Sequence, residues 1–520
     1  MRNSGCKFCG GCVEVCPSGA LIDKRKLSDA GFETAPPCKS SCPAGIDIPR
    51  YVRLIAEERF QDAIEVVRET VPFPETLGTV CEHPCEQACF RADLNEPISI
   101  CFLKRFVAEQ DDHSWLKRMK ILPDTGKKVA VVGSGPAGLT VAWNLRRLGH
   151  QVTVFECESQ AGGMLRMGIP RYRLPASVLD REISEIQQIG VDLRLNTRIE
   201  NLDALKSEGY DAIFVSTGAP RGLSLGIPGE DHPRVLEGIG WLRGVAFDRS
   251  EHLHGHVGIV GGGNVAIDVA RTALRMGAEK VTVFYRRTGD EMPAAEEEVS
   301  QALVEGVEFS FLVAPKQAKA DGESVALELV KMELGEADAS GRRRPVPVEG
   351  SEHDVKLDYL FAAIGQRPSV PKEYNLDLTK KNTIAVEKPS FCAAEGIFAG
   401  GDVVSGPASA ISAISQGRRA AAHIDSYLGG AGIIDQVYVN KEKESERIGR
   451  EGGFVDKVRA HIEHLPKEKR LNNFDQVDFV FSKEQAVEEA KRCLRCQLRY
   501  EIKEAPMPPA GCSGSCSMKR

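Results

Sequence analysis

Twice along the chain an apolar, strand-like run breaks on a glycine-rich turn and opens into a helix-like segment. The first reads Val129-Ala-Val-Val-Gly133-Ser-Gly135-Pro136-Ala137-Gly138-Leu, the second Val257-Gly-Ile-Val-Gly261-Gly262-Gly263-Asn264-Val265-Ala266. Such a turn lets the backbone approach a pyrophosphate, which then sits at a helix N-terminus where free amide hydrogens and the dipole favour negative charge. Ala266, in the third position of the second fingerprint, still permits close packing of helix on strand. The strands that follow differ at their ends. Val152-Thr-Val-Phe-Glu156 finishes in a carboxylate placed to accept hydrogen bonds from a ribose, whereas Val281-Thr-Val-Phe-Tyr285 is followed by Arg286 and Arg287. A carboxylate there would repel a 2′-phosphate and guanidinium groups pair with it, so the second site is expected to prefer NADP(H) to NAD(H).

A later cluster, Gly396-Ile-Phe-Ala-Gly400-Gly401-Asp402 followed by Ser409-Ala-Ile-Ser-Ala-Ile-Ser-Gln-Gly417, resembles the second FAD motif of the glutathione-reductase-like flavoproteins. That resemblance implies that Asp402, after Gly401, contacts the ribityl-phosphate portion of FAD. Ser409 would open a helix whose N-terminus faces the isoalloxazine ring. Tyr210 to Gly218 and Asp358 to Gly365 resemble the strand-to-glycine junctions where the FAD and NAD(P) domains of this fold cross over.

Fourteen of the sixteen cysteines lie outside residues 102–492. Cys6, Cys9, Cys12 and Cys16, the last followed by Pro17, have the bacterial ferredoxin spacing that wraps thiolates around a [4Fe-4S] cube. A second group comprises Cys38, Cys42, Cys81, Cys85, Cys89 and Cys101, and a third comprises Cys493 and Cys496 near the C-terminus. Between Cys42 and Cys81 the segment from Pro49 to Ile64 carries apolar residues at helical intervals, which predicts a small helical cluster-binding domain. Only Cys157 and Cys392 lie in the centre, in no two-cysteine redox motif, and both are expected to be packing residues. Reduction of a disulfide substrate through an internal dithiol is therefore not expected, which makes the terminal cysteines the electron route.

At 520 residues the chain needs about three domains. The net charge of −7 is spread over mixed-sign segments, without the basic stripe of a nucleic-acid binder. No basic-then-apolar leader opens the sequence and no apolar run approaches the roughly 20 residues that span a bilayer, so a cytoplasmic protein without a membrane span is expected. Cysteines spaced for metal also fit a reducing compartment.

The cysteine pattern, together with Gly162-Gly163-Met-Leu-Arg-Met-Gly-Ile-Pro-Arg-Tyr-Arg-Leu-Pro175 and Tyr285-Arg-Arg-x4-Glu291-Met-Pro-Ala294, resembles the small subunit of bacterial glutamate synthase and its relatives over about residues 36 to 430. Those relatives include the N-terminal half of dihydropyrimidine dehydrogenase and the large subunit of NADH-dependent ferredoxin:NADP oxidoreductase. The fold class implied is α/β, with two Rossmann-like FAD and NAD(P)-binding domains behind a helical iron-sulfur domain and a small ferredoxin-like segment. The expected division is 1–30 ferredoxin-like, 31–121 helical iron-sulfur, 122–225 and 360–430 FAD-binding, 226–359 NAD(P)H-binding, and 431–520 an extension supplying cluster ligands. The implied function is an electron-transfer flavoprotein subunit, an oxidoreductase moving electrons between NADP(H), FAD and about three [4Fe-4S] clusters. Its partner would be ferredoxin or a larger oxidoreductase subunit in a hetero-oligomer. The NADPH-oxidising small subunit of a glutamate synthase is the alternative. A self-contained flavoprotein reductase and a non-catalytic iron-sulfur module are the competing classes. Cofactors carry the chemistry, so no catalytic side chain is expected.

The resemblance also distributes the thiols. Cys42, Cys81 and Cys85 match three ligands of the relatives' cluster nearer the flavin. Its fourth ligand, in at least one relative a non-cysteine side chain at the place of Lys104, is expected here to be Cys101. Cys38 and Cys89 match ligands of a second cluster, but the Cys-x2-Cys that completes it in the relatives is missing upstream of Cys38. The string Glu489-Ala-Lys-Arg-Cys493-Leu-Arg-Cys496 resembles the element carrying that pair, so Cys493 and Cys496 are expected to complete the cluster from the other end of the chain. The N-terminal motif would hold a third cluster through Cys6, Cys9 and Cys12, with Cys16, Cys512 and Cys516 as candidates for the fourth ligand.

Overall fold

The structure is a computed structural model describing residues 12, 35–337, 341–441, 453–471 and 473–498. It divides into two compact units. One comprises Met1–Lys120, Asp435–Glu463 and Val480–Arg520, the other Ile121–Ile434 and His464–Phe479.

The larger unit holds two sheets of Rossmann type. The first has six strands in the order Cys392–Ala394, Ile397–Ala399, Ala212–Val215, Lys128–Val132, Gln151–Phe155, Asp192–Arg194, parallel except for the hairpin at the first edge. The second is fully parallel, in the order Val235–Glu237, Tyr359–Ala362, His256–Val260, Lys280–Tyr285, Glu308–Phe311. Val129, Val131, Val257 and Ile259 are fully buried, as expected of parallel strands covered on both faces. An antiparallel sheet of Val313–Asp321, Ser324–Ala337, Arg343–Pro347 and His353–Leu357 is inserted before the return strand Tyr359–Ala362.

Residues 464–479 strap onto this unit. Leu465 N donates to Val477 O at 2.7 Å, and Val477 N to Tyr172 O at 3.0 Å. Beneath the strap, Tyr172 is fully buried with the guanidinium groups of Arg275 and Arg271 at 3.8 and 4.8 Å from its ring. Arg271, Arg275 and Arg470 converge on the buried Glu305, while Arg173 pairs with Asp268 and Glu298. Burial alone would raise the Glu305 carboxyl, but hydrogen bonds from Arg275 and Arg271 hold it at about 2.

The smaller unit is helical, with Ile48–Ala56, Phe60–Arg68, Pro74–Val80, Ile100–Glu109 and Lys483–Lys491 as its principal helices. The segment from Pro49 to Ile64 is two helices because Glu58 takes a left-handed conformation, φ 59°, and turns the chain. Prolines open Ile48–Ala56 and Pro74–Val80 in the first turn, where a missing N–H costs nothing. The helix Lys483–Lys491 starts on a capping box, Gln485 N donating to Ser482 Oγ at 3.2 Å and Ser482 N to Gln485 Oε1 at 2.8 Å. Cys157 and Cys392 depart from the packing role expected of them. Cys157 is exposed and Cys392 half-buried, because Cys157 lies two residues past the strand Gln151–Phe155 and Cys392 opens the edge strand Cys392–Ala394.

Candidate functional site

The first glycine turn is a cradle that any side chain would fill. A Cβ on Gly133, at φ 105°, would lie 2.6 Å from Ser216 O, and one on Gly138 2.1 Å from Gly133 O. Gly163, at φ 54°, approaches from the next loop so closely that its Cβ would meet Gly135 Cα at 2.7 Å. A Cβ on Gly401 would touch Ala137 Cβ at 3.0 Å. Gly135, Pro136, Ala137, Gly163 and Gly401 are thus brought to one place around the N-terminus of the helix Pro136–Arg147. Glu156 is buried at the end of its strand, accepting from Ser134 N at 3.1 Å and Ser134 Oγ at 2.5 Å. Ser134 was not singled out by the sequence, although it stands inside the fingerprint. At Gly218, φ 66°, the neighbouring Thr217 Oγ1 is buried without a hydrogen-bond partner among the described residues.

Asp402 opens a short helix with Ala408 N donating to its Oδ1 at 3.2 Å, and burial pushes its carboxyl up to about 7. Ser409 caps the helix Ala410–Tyr427, its Oγ accepting from Ser412 N at 3.3 Å. Gly417 on that helix lets it close on the first fingerprint, since a Cβ there would lie 2.5 Å from Ala137 O. Bare backbone, an orphan hydroxyl and a buried carboxylate gathered at one glycine turn fit a dinucleotide of the FAD type.

The second turn repeats the cradle. A Cβ on Gly261 would lie 2.2 Å from Ala363 O, while Gly263 caps the helix Asn264–Arg275 with open space beside it. Ala266 is fully buried under the turn. The segment Glu291-Met-Pro-Ala294 folds back over this loop: Tyr285 Oη donates to Glu291 O at 2.8 Å, Ala294 N to Gly262 O at 3.2 Å, and Ala295 N to Asn264 Oδ1 at 2.9 Å. The two arginines part company. Arg286 is exposed, whereas Arg287 is 5% exposed with its Nε donating to Arg343 O at 2.7 Å. Arg343 in turn pairs with Glu291 at 2.7 Å. The site fits NADP(H) through the free amide cradle and the exposed guanidinium.

In the helical unit the thiols sort into two groups. Cys38, Cys89, Cys493 and Cys496 line one cavity whose remaining walls include Pro37, Ile48, Val52, Ile98 and Ile100. After burial, which pushes the Cys38 thiol well up, its strongest interactions are with Cys89, Cys493 and Cys496. Cys85 instead interacts with Lys104, Glu86, Cys81 and Cys42. Cys38 lies in one short helix, Pro37–Ser40, with Cys42 just beyond it, and Cys85 lies in another, Pro84–Gln87, with Cys89 just beyond it, so each of the two turns offers one sulfur to each group. Tyr51 is fully buried beside both, its hydroxyl donating to Ile100 O at 3.1 Å.

Cys101 is buried near the second group, its Sγ donating to Leu77 O and Gly78 O at 3.3 Å each. Burial pushes that thiol up to about 12, and metal binding would expel its proton. Buried sulfur sets of this kind fit iron-sulfur clusters. Tyr51 as a neighbour of the sulfurs was outside the reach of spacing arguments, whereas the resemblance already implies Lys104 beside them. Cys6, Cys9, Cys16, Cys512 and Cys516 lie outside the described residues, and Cys12 is exposed.

Two dinucleotide cradles on parallel sheets, with thiol-lined sites in the same chain, define a pyridine-nucleotide flavoprotein oxidoreductase that carries iron-sulfur clusters. Residues 127–417 match the pyridine nucleotide-disulphide oxidoreductase family model, and residues 33–115 match dihydropyrimidine dehydrogenase domain II, 4Fe-4S cluster. The chain is 37% identical to the NADP(+)-dependent formate dehydrogenase subunit beta of Moorella thermoacetica over 94% of its own length and 76% of the relative's. It is 39% identical to the NADPH-Fe(3+) oxidoreductase subunit beta of Geobacter sulfurreducens, covering 88% of this chain and 75% of that one. It is 34% identical to the glutamate synthase [NADPH] small chain of Escherichia coli, covering 76% and 89%. The chain belongs to the pyridine nucleotide-disulphide oxidoreductase family, in the branch of glutamate synthase small chains and these beta subunits, as the resemblance implied. Among the described residues no helix is long and apolar enough to cross a membrane.

Proposed function

We propose that this chain is the NADP(H)-linked subunit of an electron-transfer complex, working in the cytoplasm and passing electrons between NADP(H), FAD, about three [4Fe-4S] clusters and ferredoxin or a larger oxidoreductase subunit. The observation that carries the reading is the cavity shared by Cys38, Cys89, Cys493 and Cys496, because a self-contained flavin reductase has no need of sulfurs gathered from both ends of its chain. The relatives' names support a subunit role with different terminal partners.

Gly133, Gly135, Pro136, Ala137, Gly138, Glu156, Gly163, Gly218, Gly401, Asp402 and Ser409 would hold FAD within 122–225 and 360–430. Gly261, Gly263, Asn264, Ala266 and Arg286 would hold NADP(H) within 226–359, with Arg287 supporting the loop. Cys42, Cys81, Cys85 and Cys101 would bind one cluster, and Cys38, Cys89, Cys493 and Cys496 a second. A third would sit on Cys6, Cys9, Cys12 and one of Cys16, Cys512 or Cys516. When bound, these groups supply hydride acceptance and single-electron transfer. The chain's own work is to bind and orient. The glycine turns admit phosphates to helix N-termini, Arg286 meets the 2′-phosphate, and the apolar walls around the sulfurs keep water away.

The purified chain reconstituted with FAD and iron should hold about twelve irons and reduce viologen dye with NADPH. No dye reduction at full iron and flavin loading would sink the reading. Co-purification with a glutaminase-bearing subunit would move the assignment to the glutamate synthase small subunit.

A further inference from the structure

The helix Ile100–Glu109 presents Cys101 and Lys104 one turn apart, 4% and 5% exposed. It lies so close to Pro74–Val80 that a Cβ on Gly78 would sit 2.5 Å from Arg105 Cα, which brings this turn beside Cys81, the residue ending that helix. An ammonium in such a place is strongly unfavourable unless an opposite charge meets it. Among the described residues no carboxylate forms an ion pair with Lys104. Glu86, which shares these surroundings, is engaged by Cys101 N at 2.8 Å and by Arg459 at 2.5 Å. The ammonium instead shares its surroundings with the sulfurs of Cys81, Cys101, Cys85 and Cys42.

We propose that Lys104 sets the reduction potential of the cluster held by Cys42, Cys81, Cys85 and Cys101, its fixed positive charge favouring the reduced and more anionic state. The inference rests on the reading that these four cysteines bind a cluster. One electron, delivered from NADPH by way of the flavin, makes the cluster more negative by one charge. The step is an electron transfer alone, with no proton taken up or released. In a water-poor site an adjacent unit charge is weakly screened, and because its effect falls with distance it acts most strongly on the nearest cluster.

The test is an EPR-monitored redox titration of the full, cofactor-loaded chain carrying Lys104→Met, Lys104→Gln or Lys104→Arg, with iron counted in each. Both neutral variants should lower one cluster's midpoint so that its reduced-to-oxidised ratio at fixed potential falls about tenfold or more, which is 59 mV for one electron. Lys104→Arg should hold the native value, and the other clusters should move by less than the one beside Lys104. A native midpoint in Lys104→Met, or an equal shift in Lys104→Arg, overturns the proposal. Loss of four irons in both neutral variants with retention in Lys104→Arg supports a required charge, whereas loss in all three assigns Lys104 to packing and overturns it. Full iron content in Cys81→Ala and Cys101→Ser would instead remove the cluster reading beneath the proposal.

Discussion

In the unit built on two parallel sheets, what awaits a ligand is bare backbone: Gly135 beneath Gly163, Gly263 at a helix N-terminus, and Gly401 against Ala137. In the helical unit it is side-chain sulfur, and the cavity of Cys38 and Cys89 is completed by Cys493 and Cys496 from the far end of the chain. Backbone sites fail when an atom is added, since there is no room for it. Sulfur sites fail when one is removed, since no neighbour replaces the lost ligand. On the proposed assignment the same contrast would separate the electron carriers, the flavin site depending on shape and the cluster sites on ligand count.

The strongest challenge to this contrast is deletion of the distant pair. Cys493→Ala with Cys496→Ala should remove about four irons from the chain while FAD stays bound and NADPH still bleaches its absorbance at the wild-type rate. An unchanged iron count would show that the tail is not part of the site. The reciprocal change adds atoms to the other unit. Gly163→Val meets Gly135 Cα at a positive φ that a branched residue does not adopt, so the purified variant should lack FAD and NADPH-dependent reduction yet keep its irons. Loss of iron along with flavin would break the separation.

Both cradles were legible in the sequence because their requirements are local: a strand, a turn without side chains and a helix lie within a dozen residues. The thiol groups were legible only with help from the relatives, since nothing in the spacing of Cys38 and Cys89 points to Cys493. The arginine pair shows where adjacency misleads. Arg286 and Arg287 are equivalent as sequence, but successive residues leaving a strand point to opposite sides, so one reaches solvent and the other the carbonyl of Arg343. The strap over Tyr172 was not legible either, because Arg271, Arg275, Glu305 and Arg470 read as ordinary surface charges until the fold brings them together.

That network yields a smaller effect on the same unit. Glu305→Gln removes the carboxylate shared by three guanidinium groups, of which Arg271 alone keeps a second, Glu298, and should lower the stability of the sheet unit by about 3–5 kcal/mol at pH 7, read from urea unfolding by flavin release. The Glu305 carboxyl is held at about 2, below its ordinary value, so its stabilising contribution is complete above about pH 4.5 and disappears as pH falls towards 2. The gap between wild type and variant should therefore close over that window. The iron count of the helical unit should be the same in both at pH 7. A gap that persists at pH 2 would show that the loss came from packing rather than charge.

The finest distinction lies within the second cradle. Arg286 is exposed and makes no hydrogen bond or ion pair among the described residues, so Arg286→Glu alters only what a bound nucleotide meets. A glutamate there replaces attraction for the 2′-phosphate with repulsion, and NADPH should bind about tenfold more weakly or worse. NADH, which has no such phosphate, should change little. The contact is solvent-exposed, so raising the ionic strength from 0.05 to 0.5 M should narrow the difference between wild type and variant. Arg287→Glu should behave otherwise: it removes the donor to Arg343 O and places a carboxylate where only 5% of the residue meets water, so both nucleotides weaken together. Titration of each variant with each nucleotide by tryptophan fluorescence decides the matter. Selective loss of NADPH in Arg287→Glu but not in Arg286→Glu would reverse the two roles, and would mean that the strand end turns over when the nucleotide binds.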